Sequence, residues 1–286
     1  MRKPLNSSVT ALPAVDLPGV GIAATAGLGN LITGSRNEIW LCPGFHGDAQ
    51  PVMLYVKLGL SERAIFIEIL AAQLAHALRL PCPTPFLVTV SPHHVGRPRG
   101  AQVLAFGSQD VSERSMARPV RALEVLMDLL ERAKLDDMAG VFDEWIANDV
   151  RSPSDVLVSP EGGMLYLIDH EAAMRDGLAP DATITNWLVS RLVERCDADS
   201  RVDLLRRLRA RLTALQRVRL AQAPAVAQYS QDGVMLYTSL VQFITDRLQH
   251  LDRLLSERVM PEQLYLAAPA TQQQPSDHAP LRTSDF

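Results

Sequence analysis

The sequence predicts an α+β fold in two lobes: a small, mainly β amino-terminal lobe with one helix, and a larger, mainly α carboxy-terminal lobe. Two observations support this. Short apolar runs bounded by Gly and Pro, typical of strands, gather before Gly107. After it, apolar residues recur at three- and four-residue intervals, as on the buried face of a helix. The expected parts are an N-terminal extension (1–20), an N-lobe (21–106), a C-lobe (107–266) and a disordered tail (267–286).

Four strands and one helix are expected in the N-lobe. Glu38–Cys42 and Val52–Leu58 are two apolar runs on either side of the turn CPGFHGDAQP, and a helix is expected from Ser61 to Arg79. Prolines then forbid further helix, and strands resume at Phe86–Val90 and Gln102–Phe106.

The C-lobe is expected to be built from amphipathic helices. Leucines recur at helical intervals through Ala122–Ala133, and the apolar residues of Met138–Ile146 share one helix face. Leu205–Leu215 gives a further helix, and the apolar residues of Leu236–Leu251 are expected on one more. These stripes predict a shared hydrophobic core.

Composition limits the function classes. The chain has 286 residues, 47% of them hydrophobic, which is enough for a sizeable core. Lys and Arg total 28 against 32 Asp and Glu, so there is no basic excess, and this balance disfavours nucleic-acid binding. We therefore expect a protein whose partners are of another kind.

The cellular setting is predicted from what the sequence lacks. No uncharged apolar run is long enough to cross a bilayer, and prolines interrupt the N-terminus where a signal peptide would need its apolar core. Cys42, Cys82 and Cys196 are scattered without metal-ligand spacing, which favours reduced thiols. We expect a cytoplasmic protein without a membrane anchor.

Three aspartates surround one expected hairpin in the stretch WIANDVRSPSDVLVSPEGGMLYLIDHEAAM. Asp149 and Asp155 lie in the polar loop before it, and Asp169 follows the apolar run that ends at Ile168. Grouped carboxylates repel one another unless a cation or a proton lies between them, so the cluster suggests a metal site. The alternative is that Asp149 and Asp155 are solvated loop residues and that Asp169 caps a turn.

A lysine and a glutamate in the N-lobe form a second candidate constellation. Lys57 ends an apolar strand, and Glu68 lies in the helix that follows. Such a pair can form an ion pair that holds the ammonium for the phosphates of a nucleotide. Alternatively, Lys57 is an edge-strand charge and Glu68 lies on the wet side of its helix.

A turn of small residues precedes these elements. Gly34, Ser35 and Arg36 come directly before the strand that begins at Glu38, where backbone N–H groups can face phosphate oxygens. Gly27 and Gly29 compete for the same role.

The order of these features resembles the HipA-like kinases, bacterial relatives of the protein-kinase fold. The resemblance lies in YVKLGLSERAIFIEILAAQLAHALRLPCPTPFLV, LAFGSQD and the aspartate-containing stretch quoted above, and covers roughly residues 34–174. It implies a protein-kinase-like fold that transfers the γ-phosphate of ATP to Ser or Thr with Mg²⁺. The implied partners are a nucleotide and an unidentified protein substrate.

The resemblance also implies roles for single residues. Lys57 would contact the ATP phosphates, and Glu68 would orient it. Leu104 and Phe106, in the segment 104–108, would carry the adenine-binding hinge. Asp169 would coordinate magnesium.

The catalytic loop departs from the family pattern, which resembles NxDRHxxN. Val150 stands in the place of the catalytic aspartate, Ser152 in that of the histidine and Asp155 in that of the metal-binding asparagine. Only two residues of the pattern are present, Asn148 and Arg151. Asp155 keeps an oxygen ligand for magnesium, but Val150 cannot accept a proton.

Three interpretations therefore remain open. The chain is a kinase that uses Asp149 as its base, a pseudokinase that binds a nucleotide or a partner without chemistry, or an unrelated helical interaction protein. The motif order favours the first two.

Overall fold

The fold is given by a computed structural model, which describes residues 13–111, 117–159, 164–220 and 223–261. The expected disordered tail lies outside them. The strands are, in chain order, β1 (Val15–Asp16), β2 (Gly21–Thr25), β3 (Asn30–Ile32), β4 (Glu38–His46), β5 (Gln50–Leu58), β6 (Pro85–Val90), β7 (Val103–Gln109), β8 (Arg118–Pro119), β9 (Val156–Val158), β10 (Leu165–Leu167) and β11 (Val218–Arg219). The helices are α1 (Glu62–Ala77), α2 (Leu123–Arg132), α3 (Asp136–Trp145), α4 (Trp187–Glu194), α5 (Ala198–Gln216), α6 (Gly233–Leu248) and α7 (Leu251–Val259). The predicted α+β class is confirmed.

Six strands form a sheet that closes on itself. Their order is β2-β6-β7-β5-β4-β3, and β2 pairs with β4 as well. The pairing of β2 with β6 is parallel, and the others are antiparallel. Side chains alternate between the two faces of a strand, so Leu54 and Val56 enter the small core inside the sheet while Tyr55 and Lys57 point outward.

The outer face of the sheet packs on α1 and joins the larger core. Leu87 of β6 and Phe106 of β7 belong to that core together with α1. The helix begins where the Ser61 hydroxyl accepts the Ala64 N–H at 3.2 Å, and it is buried continuously from Ile65 to Ala75. Burial on all sides follows because the sheet covers one flank of α1 and α6 packs on another.

The carboxy-terminal helices pack around α3. Trp145, at the end of α3, is fully buried, and its indole N–H donates to the carbonyl of Ile244 in α6 at 3.0 Å. The expectation of one helix through Leu236–Leu251 is wrong, because α6 ends at Leu248 and α7 begins at Leu251. Three-residue hydrogen bonds tighten the chain at Gln249 and His250, and α6 then packs on α1 whereas α7 packs on α4 and α5.

The segment before β2 is bound to the carboxy-terminal part of the chain. Strand β1 pairs in parallel with β11, Val15 opposite Val218. The Val15 N–H donates to the carbonyl of Arg217 at 2.8 Å, and the Arg217 guanidinium donates back to the carbonyl of Pro13. Gln73, buried in α1, donates to the carbonyl of Pro18 at 2.6 Å. The predicted N-terminal extension is therefore packed against the fold from Pro13 onward.

No helix in the described residues combines the length and the apolar character that a membrane span requires.

Candidate functional site

Lys57 lies near the end of β5, on the outer face of the sheet, opposite Phe106 in the register. It ion-pairs through Nζ with three carboxylates, those of Glu68 at 2.5 Å, Asp169 at 2.7 Å and Glu171 at 3.2 Å. Burial alone would lower the pKa of Lys57, but the three carboxylates outweigh it and raise that pKa above its ordinary value. The ammonium is therefore charged and central to the cluster.

Glu68 uses both of its carboxylate oxygens. Oε1 binds Lys57, and Oε2 accepts the backbone N–H of His170 at 3.0 Å. Its burial would raise its pKa, but Lys57 and His170 together lower that pKa to about 2. Only 1% of Glu68 is exposed, so the interpretation of Glu68 as a wet-side residue is wrong, and the predicted Lys57–Glu68 ion pair is confirmed.

Asp169 reaches the cluster from the far end of the chain's central hairpin. It follows β10 and has a φ of 61°, in the left-handed region. Aspartate tolerates this conformation better than most residues, and such backbone often marks functional sites. The turn brings its Oδ1 to Lys57, so three residues distant in sequence meet in one place.

Glu171 belongs to the same cluster and was missed by the sequence analysis. Its Oε2 binds Lys57, and its Oε1 accepts a hydrogen bond from the Asn37 amide at 2.7 Å. Asn37 lies directly after the turn of small residues, so Glu171 connects that turn to Lys57. The signal in the sequence was the spacing of Asp169 and Glu171, which puts two carboxylates two residues apart.

The turn itself links β3 to β4. Gly34, Ser35 and Arg36 are exposed, and Gly34 has a φ of 87°, which favours glycine. The Ser35 hydroxyl donates to the carbonyl of Asn37 at 2.5 Å. The structure thus places the predicted phosphate-binding turn beside the acidic cluster, tied to it through Asn37.

Arg151 organises the loop before the hairpin. Its buried guanidinium binds the Asp143 carboxylate of α3 at 2.9 Å. It also donates to the carbonyl of Ile168 at 2.7 Å and to that of Asp155 at 3.4 Å. Because Asp169 directly follows Ile168, Arg151 holds the backbones of Asp155 and Asp169 next to each other.

Asp155 lies at the edge of this arrangement. Its Oδ2 accepts the backbone N–H of Ser152 at 2.7 Å. Burial and, to a smaller extent, the charge of Asp169 raise the pKa of Asp155, while Ser152 and Arg151 oppose that rise. Asp155 is not among the carboxylates that group around Lys57 in the described residues. A shared site with Asp169 stays a prediction.

Asp149 and Val150 occupy the altered part of the loop. Asp149 forms an ion pair with Arg175 at 2.7 Å through Oδ2, while its buried Oδ1 has no partner among the described residues. Val150 is 52% exposed and offers no polar side-chain atom. Of these two positions, only Asp149 carries a group that can accept a proton.

Leu104 and Phe106 lie within β7, between β5 and β6. Phe106 is buried next to Lys57 in the register, and Leu104 is 37% exposed on the same face. Phe106 pairs with Lys57 of β5 and with Leu87 of β6, whereas the pairing of β7 with β5 ends at Phe106 and Leu104 is opposite Thr89 of β6. Their assignment to an adenine-binding hinge stays a prediction.

The acidic cluster fits a divalent cation by its chemistry. Glu68, Asp169 and Glu171 each place an oxygen within 4.8 Å of the others, and Lys57 supplies one positive charge against three negative ones. Carboxylate oxygens are the ligands that Mg²⁺ prefers. Glu68 is almost completely buried, whereas the side chains of Asp169 and Glu171 are 38% and 19% exposed, so Asp169 and Glu171 are the pair best placed to hold the ion.

A strand lysine held by a helix glutamate, with an aspartate after a hairpin, is an arrangement typical of kinase-like proteins. The comparison with family models identifies the family: the model of the HipA-like kinases matches residues 32–254, and the chain belongs to that family. The predicted resemblance is thereby confirmed.

The fold resembles that of a solved kinase structure. The crystal structure of CtkA, a proinflammatory kinase of Helicobacter pylori, aligns with a TM-score of 0.50 at 9% identity, over 86% of this chain and 99% of that chain. The structure of Cex1p aligns with a TM-score of 0.26 at 12% identity, over 92% of this chain and 45% of that chain, which is too weak to carry an argument. A search of curated proteins found no significant match.

Proposed function

We propose that the chain is an ATP-dependent phosphotransferase acting on a Ser or Thr hydroxyl of a protein, with reduced activity because its catalytic loop is altered. In this proposal the closed sheet and α1 are the N-lobe, and the helices from α2 onward are the C-lobe. The observation that supports it best is the joining of Lys57 to both Glu68 and Asp169. Those residues come from three separate elements. In kinases such residues lie together because the lysine contacts the ATP phosphates and the aspartate binds the Mg²⁺ held by those phosphates.

In this proposal, different residues bind the phosphates and the cation. Lys57 is oriented by Glu68 to meet phosphate oxygens, and the turn of Gly34, Ser35 and Arg36 offers backbone N–H groups to them. When bound, Mg·ATP supplies the transferable phosphoryl group together with the cation that offsets its charge. Asp169 and Glu171 would hold that cation, and Asp155, whose backbone lies beside that of Asp169, is the further ligand that the sequence predicts.

Asp149 is the proposed proton acceptor. As the substrate hydroxyl oxygen bonds to the γ-phosphorus, the bond from that phosphorus to the β,γ-bridging oxygen breaks and ADP leaves; the hydroxyl proton passes to Asp149. Arg175 binds Oδ2 of Asp149, and Oδ1 has no partner among the described residues but is buried, so in this proposal the loop must open for Oδ1 to meet the substrate hydroxyl.

A second candidate function is a pseudokinase that binds nucleotide without transferring phosphate. The observation that favours it is Val150, which is exposed where the family places its catalytic aspartate. A positioned base contributes about 10²–10⁴ in rate, so its loss alone would leave binding intact and turnover very low.

Thermal unfolding with Mg·ATP tests nucleotide binding for both candidates. Ligand at about 100 times its Kd stabilises the folded state by about 2.7 kcal/mol, so the wild-type Tm should rise by several degrees. Lys57→Met should remove the rise, while Arg206→Ala, on an exposed face of α5, should keep it. A wild-type Tm that does not change when Mg·ATP is added would refute both candidate functions.

Phosphate transfer separates the two candidates. With labelled ATP, Asp149→Asn should abolish autophosphorylation if Asp149 is the base, and Val150→Asp should add little. If the loop is degenerate, Asp149→Asn should change nothing, and Val150→Asp combined with Asp155→Asn should raise activity. Fast wild-type transfer that is indifferent to Asp149 would show that the base lies elsewhere.

A further inference from the structure

The Glu171 carboxylate contacts two parts of the proposed nucleotide site, Lys57 and the turn that ends at Asn37. Its Oε2 lies 3.2 Å from the Lys57 ammonium, and its Oε1 accepts the Asn37 amide at 2.7 Å. The first contact occupies the group proposed to receive phosphates, and the second holds down the turn proposed to cover them. Both contacts use the same carboxylate, which is 19% exposed.

The contacts of Glu171 are also easier to exchange than those of Glu68. Lys57 keeps shorter ion pairs to Glu68 and Asp169 if Glu171 leaves, so the ammonium stays compensated. Glu68 cannot move in the same way, because it is buried and also binds the His170 N–H. Glu171 therefore leaves its contacts at a lower cost than Glu68, and Asp169, which is more exposed than either, can take up the cation where it stands.

We propose that Glu171 is a cation-operated latch: without a divalent cation it ties Asn37 and Lys57 together, and a cation held with Asp169 pulls it off both. The inference rests on the proposed function and adds to it an order of events. The cation frees the turn and the lysine first, and the phosphates then enter between them. A net negative cluster gives the same order, since it repels a free triphosphate and attracts a cation.

Cleavage by trypsin after Arg36 reports the state of the latch directly. Arg36 is exposed in the turn and precedes Asn37, and cleavage requires the turn to leave its place. The rate is compared with cleavage after Arg99, an exposed site on another loop of the same chain, which serves as internal reference. Magnesium alone, without nucleotide, is the probe.

The latch predicts a separate result for each variant. In the wild type, Mg²⁺ should raise the rate of cleavage after Arg36, relative to that after Arg99, by about fivefold. This is the change in the population of the open turn expected when one hydrogen bond is lost. Asn37→Ala should be fast without Mg²⁺ and gain little from it. Glu171→Gln can still hydrogen-bond Asn37 but binds a cation poorly, so it should stay slow with and without Mg²⁺.

Two outcomes would overturn the latch: a wild-type ratio that Mg²⁺ leaves unchanged, or an equal rise in wild type and Glu171→Gln. Failure of the proposed function looks different. If Mg²⁺ releases the turn but Mg·ATP gives no thermal shift, the latch stands and nucleotide binding is wrong. If the thermal shift is present but Mg²⁺ leaves the ratio of the cleavage rates after Arg36 and Arg99 unchanged, only the latch is wrong.

Discussion

Replacement of Glu68 by glutamine tests how far the buried carboxylate stabilises the fold. The variant keeps the size of the side chain and an acceptor for the His170 N–H, and removes only the charge that faces Lys57. Because Asp169 and Glu171 still compensate the ammonium, we expect a loss below the 3–5 kcal/mol typical of a broken buried pair. A loss of about 2 kcal/mol at pH 7 is the expected result.

The pH dependence of this loss has a definite sign. The pKa of Glu68 is lowered from 4.5 to about 2 in the fold, so its ionised form stabilises the protein above pH 4.5. That stabilisation declines as the pH falls from 4.5 towards 2. One pH unit below 4.5 it should be smaller by about 1.4 kcal/mol, and the difference between wild type and Glu68→Gln should shrink by that amount.

Urea unfolding of both proteins at pH 7 and pH 3.5 measures this difference. Circular dichroism follows the transition, and equal slopes show that the same surface is exposed in each. A difference that stays constant between the two pH values would refute the assignment of a low pKa to Glu68. A variant as stable as the wild type at pH 7 would show that the ion pair contributes nothing.

The remaining predictions concern packing and reactivity. Arg151→Met leaves a buried carboxylate unpaired and should cost about 3–5 kcal/mol in urea unfolding; a loss below 1 kcal/mol would contradict it. Gly107→Ala places a Cβ 2.4 Å from a side-chain carbon of β6 and should cost about 1–3 kcal/mol, whereas Gly100→Ala, with nothing closer than 4.0 Å, should be neutral. Burial raises the pKa of Cys42 to about 11, so iodoacetamide at pH 8 should label it far more slowly than Cys196; equal rates would refute its burial.

The sequence was sufficient to predict those parts of the site whose elements carry strong local patterns. The apolar run before Lys57 and the helix around Glu68 are such patterns, and their order along the chain predicted that the two would meet. The helix that carries Glu68 formed close to its expected bounds, whereas β4 continues to His46 and β5 begins at Gln50, so most of the expected turn between them is strand. Asp169 was recognisable because it ends an apolar run after a turn.

The parts that escaped prediction depend on contacts between distant segments. Glu171 matters because Asn37 meets it across the folded chain, and no local periodicity announces that contact. Strand β1 has two residues, too few for an alternating pattern. The break after Leu248 lies within a continuous apolar stripe, so only the different packing partners of α6 and α7 reveal it.

The pairing of β1 with β11 has a consequence for synthesis on the ribosome. The six strands of the closed sheet are all complete by Gln109, so this sheet can form while most of the chain is still to be synthesised. Val15, however, must wait for Val218, which is added about two hundred residues later, or about 10–40 s at ordinary elongation rates. Strand β1 is thus made before the strands of the closed sheet but can pair only long after they are complete.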